Sequence, residues 1–483
     1  MSSPPDLWAR NPEIQDSVDD PRVRPYDTIH SLPNELLVAI FKAGSLTKLK
    51  RCEIPFPLLV SSICRYWRDV TINTPDIWTN IHISMRRPLK YTLVFLERSK
   101  SSLLDITINV IGAHYSSFIE VSNAISSHIY RTRRLVITAE GVEDVQCIVK
   151  PFHHIVVSNL EYLHILVRIS EGWSGYPFHF PLVAGAVQLR SLKLEGVCSK
   201  CSPPLVGLTN LDILRFQPNY GELRDLFSAS PSLTKLVLRK FGNGSPSDAP
   251  SDHDLPIIET FSLRYLAISF NDSHSISHCQ CTLSSLSMPN LEYLEIVHHD
   301  AVPNLVEHFS IDLQKPQYLK LQTLRLQGLA VSDIDVTFFR ALPMIKDLEL
   351  IHISSAFSLP ILTAEVSTSV PPCESLPWQH LRSITVDTLA SYDNGSWLCD
   401  VVTSRVAAGC RLFTVHIRPT YWEEVCTLDD IKRLRELAEV EFVEMEVTGL
   451  ICYEYCWDED EDDCESSCGD YDYDKGSALI RST

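Results

Sequence analysis

One six-residue pattern constrains the fold of this chain more than any other feature, because it returns along most of the sequence. It reads apolar, two variable, apolar, one variable, apolar. Copies stand at Leu103–Ile108, Leu160–Ile165, Leu189–Leu194, Leu211–Phe216, Leu233–Leu238 and Leu263–Ile268. Others stand at Leu291–Ile296, Leu321–Leu326, Ile345–Leu350, Leu381–Val386 and Leu412–Ile417, with a degraded copy at Thr132–Ile137. From Leu160 on, successive copies start 22 to 36 residues apart. The apolar alternation in each copy predicts a short strand with one face buried. A recurrence of this length means one strand-and-return unit stacked many times, since a single unit cannot bury its own apolar side. Turn-forming residues precede several copies, as in Pro289-Asn290-Leu291 and Ser230-Pro231-Ser232-Leu233. Buried strands of any α/β sheet are apolar, but eleven copies in a narrow range of spacing predict a solenoid.

The Leu positions and the spacing resemble leucine-rich repeats, matching them at the lower end of the interval and overshooting at the upper. The resemblance implies parallel short strands joined by helical or loop returns, over residues 79–450. It also implies that a partner is held on the concave strand face. The side chains between the Leu positions are then the candidate readers: Tyr162, Arg190, Lys193, Lys235, Tyr293, Arg325 and Lys346, with Glu161, Glu292 and Glu349 beside them. The longer intervals 241–258 and 355–377 are rich in Ser and Pro and read as loop insertions.

The N-terminal part follows a different rule. Residues 1–28 are polar, Pro-rich and aperiodic, and predict a disordered segment. Leu32-Pro33-Asn34-Glu35 then opens a helix: Pro is tolerated in a first turn, and Glu35 suits the positive end of the helix dipole. Leu36, Leu37, Ile40 and Phe41 give it an apolar face, and Gly44 marks its end. The spacing of Leu59, Val60, Ile63, Cys64, Trp67 and Val70 predicts a second helix from Pro57 to about Val70. The turn Asn73-Thr74-Pro75-Asp76 and then Ile77-Trp78 follow. About 50 residues of this kind are too few for a sturdy core, so their apolar surface requires a neighbour.

The order Leu32-Pro33-Asn34-Glu35-Leu36-Leu37, Ile40-Phe41, Val60 to Cys64-Arg65-Tyr66-Trp67, and Pro75-Asp76-Ile77-Trp78 resembles the F-box. Ile63-Cys64 stands where that family commonly has Val-Cys, Ile77 where it commonly has Leu, and the stretch 44–56 is longer and more charged than usual. The resemblance, over residues 29–78, implies a helical hook that docks on a Skp-type adaptor and through it on a cullin scaffold. By position, Leu32, Pro33, Leu36, Leu37, Ile40, Phe41, Val60 and Cys64 are the implied adaptor face, and Trp67 and Trp78 the implied core of the box. Many F-box proteins continue into leucine-rich repeats that hold a protein substrate. The expected architecture is thus α/β: a small all-helical F-box followed by an irregular leucine-rich-repeat solenoid.

Composition narrows the function further. The net charge is −19, of which eleven acidic residues against one Lys between Glu454 and Lys475 contribute −10. Residues 451–483 predict an acidic disordered tail, and the sign of the charge argues against nucleic acid as a partner. No apolar run reaches 18 residues, and the N-terminus lacks a basic segment followed by an apolar one, so neither a membrane span nor a secretory signal is expected. Fifteen scattered cysteines then predict reduced thiols in the cytoplasm or nucleus.

The sequence holds no Gly-x-Gly-x-x-Gly, P-loop or His-Glu-x-x-His, and Gly172-Trp173-Ser174-Gly175 lacks nucleophile-elbow spacing. Cys198-x-x-Cys201 has no second pair at zinc spacing, and His298-His299-Asp300 reads as a loop end. No catalytic residue, metal or cofactor is expected.

Overall fold

The computed structural model describes residues 32–46, 54–84, 88–112, 115–152, 154–168, 186–196, 206–214, 218–241, 256–270, 282–297, 318–328, 342–351, 378–387, 396–409, 414–417 and 428–443. The N-terminal segment 1–28, most of 241–258 and all of 355–377, the motifs at Gly172, Cys198 and His298, and the acidic tail lie outside them. The chain divides into two compact units, Met1–Trp78 and Thr79–Thr483.

The first unit is helical. It contains α1 (Asn34–Ser45), α2 (Phe56–Ile63), α3 (Arg65–Ile72) and a short 3₁₀ turn over Pro75–Trp78. The single helix expected from Pro57 to Val70 is broken at Cys64, whose backbone is extended (φ −152°, ψ 169°). Side-chain chemistry stabilises the break. Cys64 Sγ accepts from the Trp67 amide at 3.4 Å, capping α3, and Arg68 Nε donates to the Ser61 carbonyl at 2.9 Å, satisfying a group freed at the end of α2. An apolar period that runs on through a one-residue break cannot reveal it. Leu37, Phe41, Val60, Ile77 and Trp78 form the interior. Phe41 meets Trp67 edge-on with ring centroids 5.1 Å apart, and Trp78 Nε1 donates to the Thr71 carbonyl at 2.9 Å.

The second unit is an α/β repeat solenoid. Its strands are β1 (Asn80–Ser84), β2 (Leu104–Asn109), β3 (Thr132–Ala139), β4 (Tyr162–Val167), β5 (Ser191–Glu195), β6 (Asn210–Leu214), β7 (Lys235–Phe241) and β8 (Ile258–Glu259). They continue as β9 (Tyr265–Phe270), β10 (Leu286–Ser287), β11 (Tyr293–Val297), β12 (Thr323–Gln327), β13 (Asp347–Ile351), β14 (Ser383–Asp387), β15 (Thr414–Ile417) and β16 (Glu439–Phe442). Fourteen of them form one sheet in chain order, and the short β8 and β10 pair beside it. Each pairing is parallel, for instance Leu294 with Leu266 on one side and Leu324 on the other. Returns near the two ends are helical: α4 (Leu89–Arg98), α5 (Tyr115–Ser126) and α6 (Val142–Val149) early, and α8 (Ser396–Ala407) and α9 (Leu428–Leu437) late, with α7 (Tyr220–Ala229) between. A parallel sheet whose strands succeed one another in sequence is the geometry of stacked coils.

Two backbone devices repeat with the coil. The amide of the first Leu of a copy closes a turn onto the carbonyl three residues earlier, as Leu291 to Met288 (3.1 Å), Leu321 to Tyr318 (3.1 Å) and Leu381 to Trp378 (2.9 Å). The carbonyl of the following residue then accepts two amides from the next coil: Arg264 O takes Glu292 N and Tyr293 N at 2.8 and 3.0 Å. Polar backbone that leaves the sheet is thereby satisfied from coil to coil.

Register corrects one copy. Leu211 pairs with Leu192 and Leu236, the second apolar position of their copies. The copy is therefore Leu208–Ile213, three residues earlier than Leu211–Phe216. Leu208, Leu211 and Ile213 satisfy the pattern in one phase and Leu211, Leu214 and Phe216 in the other, and the backbone decides: Thr209 N and Asn210 N bond Arg190 O, as the coil ladder requires. The expected copies also omitted those of β1 and β16, at the two ends of the expected solenoid. Trp78-x-x-Ile81-x-Ile83 and Leu437-x-x-Val440-x-Phe442 fit the same pattern. The degraded copy at Thr132 is a full strand, β3, with a bulge that admits Arg133.

Candidate functional sites

Two surfaces answer to the sequence-derived candidates, one in each unit. In the helical unit the eight candidate adaptor contacts separate by burial. Leu37, Phe41 and Val60 are buried in the unit's own interior. Leu32 and Cys64 are half-buried, and Cys64 is occupied as a helix cap. Pro33 is exposed, as are Leu36 (52%) and Ile40 (46%). Leu36 and Ile40 lie four residues apart and share a face of α1. The structure adds Leu59 (46%) and Ile63 (54%) with the same spacing on α2, a pair left out of the candidate list. Of the two expected core tryptophans, Trp78 is fully buried; Trp67 is half-buried, and its Nε1 has no hydrogen-bond partner among the described residues.

In the solenoid the residues between the Leu positions form columns that cross the sheet. One column runs through Arg134, Tyr162, Ser191, Asn210, Lys235, Tyr265, Tyr293, Thr323, Asp347 and Ser383. A second, two residues on, includes His164, Lys193, Asp212, Glu295, Arg325 and Glu349. Tyr162, Lys193, Lys235, Tyr293 and Arg325 therefore lie on one face of the sheet, while Arg190 and Lys346 precede their strands and sit on the coil ladder instead.

Much of that face is committed to internal pairing. Glu195 takes His164 Nε2 at 3.0 Å, Lys193 Nζ at 2.8 Å and Arg239 Nη2 at 3.1 Å, and Arg239 Nε reaches Asp212 at 2.9 Å. Burial pushes the Glu195 carboxyl up, but the His164 hydrogen bond and the charges of Arg239 and Lys193 outweigh it and hold it well below the usual carboxylate range. Asp212 moves the other way, because burial outweighs Arg239. Further along, Arg325 bonds Glu349 at 3.0 Å and approaches Glu295 at 3.3 Å. Glu295 also receives the hydroxyls of Tyr265 and Tyr293, at 3.3 and 3.2 Å. Those two rings stack in parallel (centroids 4.3 Å apart, 4° between planes), and Lys235 Nζ lies 4.3 Å from the Tyr265 centroid. Burial, with the Glu295 charge, raises the Tyr265 hydroxyl to about 12 and Tyr293 further. Arg325 and Lys193 thus both make ion pairs within the strand face; Tyr162, beneath Arg134 at 4.6 Å, is half-buried.

Sequence reasoning missed Glu195, Arg239, Asp212 and Glu295, because apart from Lys193 and Tyr293 their partners lie 27 to 44 residues away and are brought together only by register. Among the described residues no group of three or more His, Cys, Asp or Glu could hold a metal ion, and no helix is long and apolar enough to cross a membrane.

These features define the class: a small helical unit followed by an α/β repeat solenoid. No family model matches the chain, and no curated protein matches it. Solved structures similar to it include an internalin, inlF, from Listeria monocytogenes str. 4b F2365, at 13% identity and a TM-score of 0.35, covering 86% of this chain and 100% of that one. Another is a TLR13–ssRNA13 complex, at 16% identity and a TM-score of 0.31, covering 66% of this chain and 40% of that one.

Proposed function

We propose that this chain is the substrate-recognition adaptor of a Skp–cullin–F-box ubiquitin ligase, with the helical unit docking on the Skp-type adaptor and the solenoid holding a protein substrate. The observation that carries the reading is the exposed apolar pairs Leu36/Ile40 and Leu59/Ile63, in a unit whose order of motifs resembles the F-box. A unit this small that keeps four large aliphatic side chains half in water gains by burying them against another protein. The receptor needs no catalytic group of its own, because it raises the effective concentration of substrate beside a charged conjugating enzyme.

The test is capture of the purified chain on an immobilised Skp-type adaptor, beside a Leu36→Asp, Ile40→Asp double variant. Two unpaired charges in an apolar interface cost several kcal/mol. Wild-type capture, with loss in a double variant of unchanged circular dichroism, is the expected result; absence of wild-type capture ends the reading. Adaptor captured without cullin from a mixture of both would favour a repeat-based binding module that recruits the adaptor without ligase activity.

A further inference from the structure

We propose that the solenoid's strand face carries an arginine-binding notch between Tyr293 and Asp347, above Thr323, which takes the guanidinium of a basic segment on a partner protein. Tyr293, Thr323 and Asp347 occupy one column on three adjacent strands, β11, β12 and β13. Neighbouring strands lie about 4.8 Å apart, so Tyr293 and Asp347 stand about 9.6 Å apart at the backbone. Thr323 is too short to fill that interval. All three are half-buried, so the notch is reachable from solvent.

The two walls suit one planar cation. On its other side the tyrosine ladder already holds a cation, Lys235 over Tyr265. The ring of Tyr293 facing Thr323 offers the same electron-rich surface one layer further on. Opposite stands the Asp347 carboxylate, which among the described residues accepts one side-chain hydrogen bond, from Ser383 Oγ at 2.7 Å. A carboxylate has about four acceptor positions, so capacity for a guanidinium remains. The surroundings favour positive charge. Among the described residues, the carboxylates of Glu295 and Glu349 share the guanidinium of Arg325, and Asp347 adds a further negative charge beside them. Burial pushes the Glu349 carboxyl up despite Arg325. Arginine fits better than lysine, because its plane stacks on a ring while its edge bonds a carboxylate.

The inference rests on the solenoid as a protein-binding surface and is independent of adaptor docking. It is tested with the full chain on an immobilised array of 15-residue peptides of mixed composition with a central Arg, beside the same array with Lys or Gln at the centre. The Arg array is expected to retain the chain about tenfold better than the Gln array and better than the Lys array. Asp347→Asn and Tyr293→Ala should lose that advantage. Thr323→Trp, which removes nothing from the interior and fills the notch, should lose it too and decides the matter where Tyr293→Ala fails to fold. Equal retention by the Arg and Gln arrays, equal retention by the Arg and Lys arrays, or wild-type retention by Thr323→Trp would each overturn the proposal. Capture on the Skp-type adaptor, measured on the same variants, keeps the two readings separable: Thr323→Trp should leave it unchanged.

Discussion

The two units treat large aliphatic side chains in opposite ways. In the solenoid Leu263, Leu266 and Ile268 are wholly buried, and Leu266 and Ile268 pair in register with their equivalents in the coils before and after. In the helical unit Leu37 and Phe41 are equally buried, yet Leu36 and Ile40, their immediate neighbours in sequence, stand half in water. A stacked coil closes its apolar columns with the next coil, so a repeat array is self-sufficient along its length. Three short helices and a 3₁₀ turn have no further copy to stack on. The contrast teaches that the solenoid's apolar pattern is a statement about folding, while part of the helical unit's is a statement about association.

The sharpest way to break this contrast is through the buried charges of the strand face. Glu295→Ala leaves Arg325 buried with only Glu349, and strips the hydroxyls of Tyr265 and Tyr293 of their acceptor. Removing one member of a buried pair costs about 3–5 kcal/mol, so urea unfolding should show a loss of that size. A loss under about 1 kcal/mol would mean that water, and not Glu295, satisfies this cluster. Next in size is the paired comparison Leu266→Ala and Leu36→Ala. The first opens a cavity in the column and should cost about 3 kcal/mol, whereas the second removes a methyl-rich tip from a half-exposed site and should stay within about 0.5 kcal/mol. Equal costs would erase the distinction between folding and association drawn from burial.

Legibility in the sequence followed the range of the interactions. The strands were readable because their period of two is local, and the coil because its recurrence is long and regular. Register was not: Leu208 and Leu211 both begin acceptable copies, and only the pairing of Leu211 with Leu192 chooses between them. The ends β1 and β16 were hidden because Trp78 and Leu437, where their copies begin, also belong to neighbouring elements. In the helical unit the periodicity placed the apolar residues on helices but could not divide Leu36 from Leu37, since adjacent residues on a helix differ by only about 100°. The strand-face pairs were invisible for a plainer reason. Glu195 and Arg239 are separated by one strand, β6, and 44 residues, and no local signal links them.

Acidification gives a smaller and more selective probe of the strand face. The folded Glu195 carboxyl lies below its unfolded value of about 4.3, so its contribution is fully present above that pH and is lost as pH falls through the folded value. Asp212 and Glu349 are raised, so the fold holds their protons more tightly than the unfolded chain does, and lowering the pH relieves the cost of ionising them. Glu195→Gln should therefore flatten the loss of stability below about pH 4.3, and Asp212→Asn should steepen it. Parallel acid limbs in all three proteins would show that neither group is coupled to the fold.

The smallest expected effect tests the break that separates α2 from α3. Cys64 caps α3 through sulfur, a weak acceptor, at 3.4 Å. Its extended backbone is the conformation in which a Ser hydroxyl caps well. Cys64→Ser should raise stability by about 0.5 kcal/mol, since the stronger acceptor reaches the same amide without moving the chain. The variant also bears on the adaptor face. Cys64 is half-buried, and a cap that turns its side chain onto the Trp67 amide leaves little of it for a partner. Unchanged adaptor capture by Cys64→Ser, beside lost capture by Leu36→Asp, Ile40→Asp, would assign Cys64 to the architecture of the helical unit. Lost capture by Cys64→Ser at undiminished stability would return the sulfur to the docking surface, and would move the line between folding and association into the break itself.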